Sequence, residues 1–128
     1  MIVDSSVWVD LIRGRETPET AAFARLAGVE EIGVGDLILY EVLQGVSPAS
    51  KFEKVKSGML AFPVFDMGGR DLALEAVHNA RTLRSKGIQV ATIDCIIATF
   101  CIMSGSRLLT SDHHFQPFEE LLGVVLVR

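Results

Sequence analysis

The stretch MIVDSSVW, residues 1–8, passes from an apolar run to an aspartate and two serines before hydrophobic residues resume. Residues 1–3 are predicted to form a short strand. From Val7 to Ile12 apolar residues recur at helical spacing, and Gly14 is a suitable end for that helix. Asp4 therefore lies where a strand passes into a helix.

The rest of the chain repeats this alternation of short apolar runs and longer helical patterns. Strands are predicted at residues 1–3, 32–34, 63–65, 108–110 and 124–127. The helical segments between or after them are PETAAFARLAG, DLILYEVLQG, PASKFEKVKSGML, GRDLALEAVHNARTLRSKG, TIDCIIATFCIMSG and HHFQPFEELLG. Alternation of this kind predicts βαβ units, and hence a three-layer α/β/α domain with a central, mainly parallel, five-stranded sheet.

Composition agrees with one globular domain spanning residues 1–128, because 49% of the residues are hydrophobic and 22% are charged. No apolar run is long enough to span a bilayer, and acids interrupt the N-terminal segment, so we expect a cytoplasmic protein without membrane contact. The net charge of −4 argues against a general nucleic-acid binder unless metal ions or a local basic patch supply the contact. Cys95 and Cys101 are expected to be buried thiols.

Four acids occupy unusual positions. Asp4 and Asp112 follow the first and fourth predicted strands, and the carboxyl ends of parallel strands meet at one edge of a sheet. Glu41 lies in the apolar helix DLILYEVLQG, where an ionised carboxylate needs compensation. Asp94 is the only charge between Gln89 and Ser104, in the first turn of a helix that Thr92 is suited to cap.

Each acid taken alone also has a simple structural explanation. The two aspartates after strands fit turn or capping positions, Asp94 suits a helix dipole, and Glu41 fits a half-exposed face or a pair with an arginine. Taken together, the four predict a carboxylate cluster, which is unfavourable unless a cation joins it. Hard divalent ions prefer oxygen ligands, so the sequence predicts a Mg²⁺ or Mn²⁺ pocket suited to phosphate chemistry.

The segments that carry these acids resemble a PIN domain of the short bacterial and archaeal toxin branch, the VapC type. The similar segments are MIVDSSVWVDLIRG, LYEVLQG, the helix ending SKG before ATIDCIIAT, and LLTSDHHF. They stand in the order typical of that family, and the resemblance extends over essentially the whole chain.

This resemblance implies a metal-dependent endoribonuclease, the toxin of a type II toxin–antitoxin pair, inhibited by a cognate antitoxin. It implies catalytic roles for Asp4, Glu41, Asp94 and Asp112, of which the three aspartates are the expected metal ligands. Glu41 is expected to orient the attacking water or to act as a general base. Ser6 matches the residue that steadies the first aspartate. His114 stands where many relatives have a further aspartate, so it is a candidate ligand that suits Mn²⁺ better than Mg²⁺.

The family also suggests products with a 5′-phosphate and a 3′-hydroxyl, a homodimer, and transfer RNA as a usual type of target. Basic residues near helix ends are candidate RNA contacts, and those named for this role are Arg13, Arg15, Arg81, Arg84 and Lys86. A solvated basic fringe explains each of them equally well. Trp8, Leu11 and Ile12 belong either to the core or to a groove for the antitoxin.

Two other classes of protein remain open at this point. A Mg²⁺-dependent phosphatase with an aspartyl nucleophile is disfavoured because Ser6 replaces the second aspartate of the Asp-x-Asp pattern that such enzymes usually have after the first strand. A non-catalytic phospho-acceptor or protein-interaction module would use the acids only to hold a structural cation. The absence of RNA turnover would distinguish that module from a nuclease.

Overall fold

A computed structural model describes all 128 residues. Four two-residue strands alternate with seven helices. The strands are β1 (Ile2–Val3), β2 (Val34–Gly35), β3 (Val64–Phe65) and β4 (Leu108–Leu109). The helices are α1 (Ser5–Ile12), α2 (Pro18–Leu26), α3 (Asp36–Gln44), α4 (Phe52–Leu60), α5 (Arg70–Ser85), α6 (Thr92–Ser104) and α7 (Gln116–Leu122).

The strands form a parallel sheet in which β1 is central. Strand β1 pairs with β4, and β2 pairs with β3, both in parallel. A parallel bridge between Ile2 and Gly33 joins the two pairs, and a bridge between Leu108 and Leu126 adds a fifth segment beyond β4. The spatial order is therefore β3, β2, β1, β4 and then the Leu126 segment. This arrangement confirms the α/β fold with a parallel sheet that the sequence predicts.

The chain changes direction across the sheet between β1 and β4. After β1 it builds outward through β2 and β3, then returns through α5 and α6 to place β4 on the other side of β1. Open α/β sheets bind ligands at such a switch point, outside the carboxyl ends of the strands. Asp4, which directly follows β1, donates its backbone N–H to the carbonyl oxygen of Leu109 at 2.9 Å, so the ends of β1 and β4 meet there.

Glycine is required where the sheet meets its neighbours most closely. A Cβ atom on Gly35 would lie 2.2 Å from Cε of Met67, and one on Gly33 would lie 2.4 Å from the ring of Phe65. Met67 is buried whereas Phe65 is 39% exposed, so the need for glycine is stricter at Gly35 than at Gly33. These two glycines therefore allow β2 to pack directly against the segment that contains and follows β3.

Several details differ from the sequence predictions. The strand predicted at residues 124–127 is reduced to one bridge at Leu126, because the chain enters it directly from a left-handed Gly123 and pairs only with Leu108. The segment DLILYEVLQG indicates its first residue, Asp36, as a helix cap, but Gly35 is the N-cap of α3, and Asp36 Oδ1 accepts the backbone N–H groups of Leu37 and Met67. Ala91, not Thr92, caps α6.

Other predictions are confirmed. Both cysteines are free and buried in α6, and burial raises the pKa of the Cys101 thiol to about 12. Helix α6 is buried in its central part, from Cys95 to Cys101, whereas both of its ends are exposed. None of the helices combines the length and the apolar character that crossing a membrane would require.

Candidate active site

Asp4 is held rigidly at the carboxyl end of β1. It is only 5% exposed, and its Oδ2 accepts hydrogen bonds from the hydroxyls of Ser6 at 2.8 Å and Thr110 at 2.9 Å. The Ser6 hydroxyl oxygen also accepts the backbone N–H of Ser111 at 3.2 Å. These bonds fix one carboxylate oxygen and leave Oδ1 without a hydrogen bond. Ser6 thus occupies the supporting position that the sequence resemblance assigns to it.

Asp112 is positioned by the turn that follows β4. Its backbone N–H donates to the Thr110 hydroxyl at 3.0 Å, and its Oδ1 accepts the backbone N–H of His114 at 2.9 Å. Nδ1 of His114 lies 2.8 Å from the same oxygen. Oδ2 of Asp112 and Nε2 of His114 therefore have no partner within the chain and are available to a ligand.

Glu41 and Asp94 join this group from α3 and α6. Burial raises the pKa of Glu41, and the carboxylates of Asp4 and Asp94 raise it further. Burial likewise raises the pKa of Asp94, with smaller contributions from Asp112 and Asp4 in the same direction and an opposing one from His114. No arginine or lysine pairs with Glu41, so the alternative of an ion pair with an arginine is wrong, and the side chain is half-buried at the cavity.

All four predicted acids line one cavity of about 460 Å³, which we call the acid cavity. Its other lining residues are Ser5, Ser6, Val9, Asp10, Arg15 and Ser111. Sequence reasoning missed Asp10 and Thr110. Asp10 lies one helical turn after Ser6 on α1, so the four-residue spacing was a signal for the shared face. The only signal for Thr110 in the sequence was its position at the end of a predicted strand.

The donor set fits a hard divalent cation. One ligand atom each from Asp94, Asp112 and His114 lie within 4.8 Å of one another. Asp4 and Glu41 line the same cavity but are not part of this group, and Oδ1 of Asp4 is free of hydrogen bonds. Carboxylate oxygens suit Mg²⁺ and Mn²⁺, and an imidazole nitrogen favours Mn²⁺. Five carboxylates and a single basic side chain, that of Arg15, line the acid cavity, so the chain itself supplies little positive charge there.

The predicted basic residues are not gathered at one place. Arg15 lines the acid cavity, where its Nη1 lies 3.4 Å from Oδ1 of Asp10. Arg84 lines a small depression with Gln89 and Val90 at the end of α5. Arg13, Arg81 and Lys86 are exposed. Only Arg15 is thus brought beside the predicted catalytic acids.

The apolar residues predicted for a groove do lie in one. A cavity of about 480 Å³, the apolar groove, is lined by Trp8, Leu11, Ile12, Phe23, Val55, Gly58, Met59 and Phe62, with Lys51 and Lys54 among its lining residues. Trp8 is 5% exposed and packs against the rings of Phe23 and Phe62 with centroids 5.5 and 5.6 Å apart. Its buried Nε1 has no hydrogen-bond acceptor. Trp8 is therefore both a core residue and part of the groove.

Comparisons with known proteins agree with this geometry. The chain is 28% identical over 123 residues to ribonuclease VapC19 of Mycobacterium tuberculosis, covering 94% of this chain and 95% of that protein. Its fold is similar to VapBC2 of Rickettsia felis, solved with a promoter DNA fragment, with a TM-score of 0.73, 21% identity and coverage of 98% and 96%. A toxin–antitoxin complex from Klebsiella pneumoniae gives a TM-score of 0.73, 18% identity and coverage of 97% and 94%.

A model of the PIN domain family matches residues 1–121, which include every residue of the acid cavity and of the apolar groove. The match confirms the family suggested by the sequence motifs, and the parallel sheet with its acids at the β1–β4 edge is the structure those motifs predict. This chain belongs to the PIN domain family.

Proposed function

We propose that this protein is a divalent-metal-dependent endoribonuclease of the VapC type, the toxin of a type II toxin–antitoxin pair. The observation that carries the proposal is the convergence of Asp4, Glu41, Asp94 and Asp112 on one cavity at the switch point of the sheet. The likeness to a curated ribonuclease over nearly the full length of both chains supports RNA as the substrate.

Asp4, Asp94, Asp112 and His114 are the residues that would hold the metal. A bound Mg²⁺ or Mn²⁺ supplies charge neutralisation at the scissile phosphate and makes water a better nucleophile. Asp4 serves this role well because Ser6 and Thr110 fix its side chain before any ligand arrives, which reduces the cost of ordering it on binding.

Glu41 is the best placed general base. Its pKa is raised by burial and by Asp4 and Asp94, which brings its proton affinity closer to that needed to accept a proton from water near neutral pH. Hydrolysis with water as the nucleophile breaks the bond between phosphorus and the 3′-oxygen, giving a 5′-phosphate and a 3′-hydroxyl. Arg15, beside the acids, is the nearest basic side chain for an RNA phosphate, and Arg13, Arg84 and Lys86 are proposed as outer contacts.

The apolar groove is the proposed antitoxin site. An amphipathic helix that lays its apolar face over Trp8, Leu11 and Ile12 would be a common mode of peptide recognition. Lys51 and Lys54 give the groove a positive charge that favours acidic residues on such a helix. The structural likeness to toxin–antitoxin complexes supports this partner. We also propose that the protein forms a homodimer, as its resemblance to the toxin branch implies.

The test is cleavage of a panel of transfer RNA and synthetic single-stranded RNA by purified protein in Mn²⁺, in Mg²⁺ and in EDTA. Asp4→Asn, prepared in the same way, controls for contaminating nuclease. Asp71→Asn is the matched control, because Asp71 is an exposed acid on α5 that contacts only Arg70. We expect cleavage that requires metal, survives in Asp71→Asn and falls by at least about 10²-fold in Asp4→Asn.

Equal activity of wild type and Asp4→Asn would contradict the nuclease proposal. In that case a divalent ion that still raises the Tm of the wild type, but not that of Asp4→Asn, would show a purely structural cation site. Trapping of a phosphorylated protein would indicate the phosphatase chemistry instead.

A further inference from the structure

A second cavity adjoins the acid cavity, and apart from Asp94 and His114 its lining residues have no role in the proposed hydrolysis. It has a volume of about 450 Å³, and Asp94 lines both cavities. Its remaining lining residues are Gln89, Val90, Ala91, His113, His114, Gln116, Pro117 and Glu120. It therefore begins at the ligand cluster of Asp94, Asp112 and His114 and extends away from it, between the start of α6 and the start of α7.

The chemistry of this cavity suits a flat, uncharged ring better than a phosphate. No lysine or arginine lines it, and its two charged residues, Asp94 and Glu120, are acidic. Away from the proposed metal position at Asp94 and His114, a phosphate group would meet repulsion from Glu120 rather than a counter-charge. Val90 and Pro117 add half-buried apolar surface on which a ring can pack.

The two adjacent histidines supply an aromatic surface. The rings of His113 and His114 lie with centroids 4.4 Å apart and planes inclined by 35°, and both side chains are exposed. Proteins recognise single-stranded RNA by stacking unpaired bases on aromatic side chains, including histidine. A base stacked here would belong to a nucleotide adjoining the ligand cluster, since His114 is part of both.

The polar side chains around the cavity match the hydrogen-bonding edge of a base. Gln89 and Gln116 each offer an amide donor and acceptor, and the Glu120 carboxylate offers acceptors only. A carboxylate accepts hydrogen bonds from exocyclic amino groups, which guanine, adenine and cytosine have and uracil lacks. All three side chains are exposed and thus accessible to a base.

We propose that this cavity is a nucleobase subsite that takes an unpaired base with an exocyclic amino group from an RNA strand bound at the acid cavity. His113 provides the stacking surface, Glu120 selects for the amino group, and Gln89 and Gln116 complete the polar edge. The inference rests on the proposed ribonuclease function and adds to it a preference for the base next to the scissile phosphate.

The test is a titration of ¹⁵N-labelled protein in Mg²⁺ with the 5′-monophosphates of guanosine, adenosine, cytidine and uridine, followed by NMR. We expect the side-chain amides of Gln89 and Gln116 to shift, and at least one amino-bearing nucleotide to bind about tenfold more tightly than the uridine nucleotide. Glu120→Gln should remove most of this difference. Glu53→Gln is the matched control, because Glu53 is an exposed glutamate on α4 outside the cavity.

His113→Ala provides a second, separate readout. It should weaken all four nucleotides by about fivefold or more, the lower range for loss of one stacking contact, while preserving the order among bases. Equal binding of the four nucleotides, no binding, shifts that avoid Gln89 and Gln116, or a preference unchanged in Glu120→Gln would each overturn the subsite.

The titration needs no turnover, so its failure is distinct from failure of the proposed function. If cleavage requires metal and is lost in Asp4→Asn but the four nucleotides bind equally, the proposed function stands and the nucleobase subsite is wrong. If the nucleotides bind selectively but no RNA is cleaved, the nucleobase subsite stands and the ribonuclease proposal is wrong.

Discussion

Helix α1 lines two cavities of nearly equal volume and opposite chemistry. Ser6, Val9 and Asp10 line the acid cavity of about 460 Å³, whereas Trp8 and Leu11 line the apolar groove of about 480 Å³. One contains carboxylates with too few cations, and the other contains aromatic and aliphatic side chains with an indole N–H that lacks an acceptor. Each region lacks something that the chain does not provide. The acid cavity lacks positive charge, and the apolar groove lacks a surface that would cover its apolar side chains.

The comparison indicates that stability and function are opposed in the first region. Burial, and to a smaller extent the neighbouring carboxylates, disfavours the ionised forms of Glu41 and Asp94, so the acid cavity costs stability until a cation arrives. The groove, by contrast, contributes core packing through Trp8 even without a partner. Substitutions in the two regions should therefore have opposite effects on the isolated protein.

The largest expected effect is that of Asp94→Asn. Cleavage should fall by at least about 10²-fold, because a proposed metal ligand is lost. The Tm of the metal-free protein at pH 7 should nevertheless rise by a few degrees, because a destabilising carboxylate is removed. Calorimetry with and without Mn²⁺ checks this, with Asp71→Asn as control. A lower Tm for Asp94→Asn in EDTA would contradict the view that the cavity is strained by its own charge.

The next effect concerns the apolar groove. Ile12, on the rim and 36% exposed, should tolerate Ile12→Asp with little change in fold or in RNA cleavage. Binding of the proposed cognate antitoxin should weaken by about tenfold or more, because a charge would be buried against the apolar face of the partner helix. Calorimetric titration measures the Kd. Leu74→Asp, an exposed position on α5, is the control, and equal affinity of the two variants would exclude the groove.

A smaller effect is expected at His114, a member of the candidate ligand cluster. His114→Asp replaces a nitrogen donor by an oxygen donor and should raise the ratio of activity in Mg²⁺ to activity in Mn²⁺ by several-fold. Initial cleavage rates in each ion measure the ratio. His78→Asp, on the exposed face of α5, should leave it unchanged. An unaltered ratio in His114→Asp would show that His114 is not a ligand.

The smallest effect is the pH dependence of stability. Because the folded-state pKa values of Glu41 and Asp94 are raised, the metal-free protein binds protons more tightly when folded, and it should gain stability as the pH falls from neutral toward the ordinary carboxyl pKa of about 4. Glu30, whose pKa is lowered mainly by Arg107, has the opposite effect but at more acidic pH. Urea denaturation across this range should show a shallower trend in Glu41→Gln than in wild type. The same dependence of stability on pH in both proteins would show that Glu41 does not cause the trend.

Much of the fold was predictable because its signals are local. The five strand positions, the Pro18 start of α2 and the glycine that ends α3 follow from short-range patterns, and all were placed within a few residues. The N-cap residues of α3 and α6 were not predicted correctly, because they depend on how each helix meets the strand or loop before it. Asp36, for example, bonds to Met67, which lies 31 residues away.

The candidate site was predictable where composition is unusual. Glu41 and Asp94 were identified because each is a single acid in an apolar segment. Asp4 and Asp112 were identified because each follows a predicted strand. Thr110 was missed because its hydroxyl matters only through a hydrogen bond to a residue 106 positions earlier. The cavity beside His113 was also missed, because its lining comes from two separate helix starts.

The sequence by itself determined the order of strands and helices, the parallel character of the sheet and the identity of the four acids. These depend on periodicity, on glycine and proline, and on the cost of placing charge in apolar segments. The tertiary structure alone decided that β1 lies beside β4, that Ser6 and Thr110 share one oxygen of Asp4, and that α1 serves two cavities. Those facts arise from the register between strands and the packing of helices across the sheet, which local patterns do not specify.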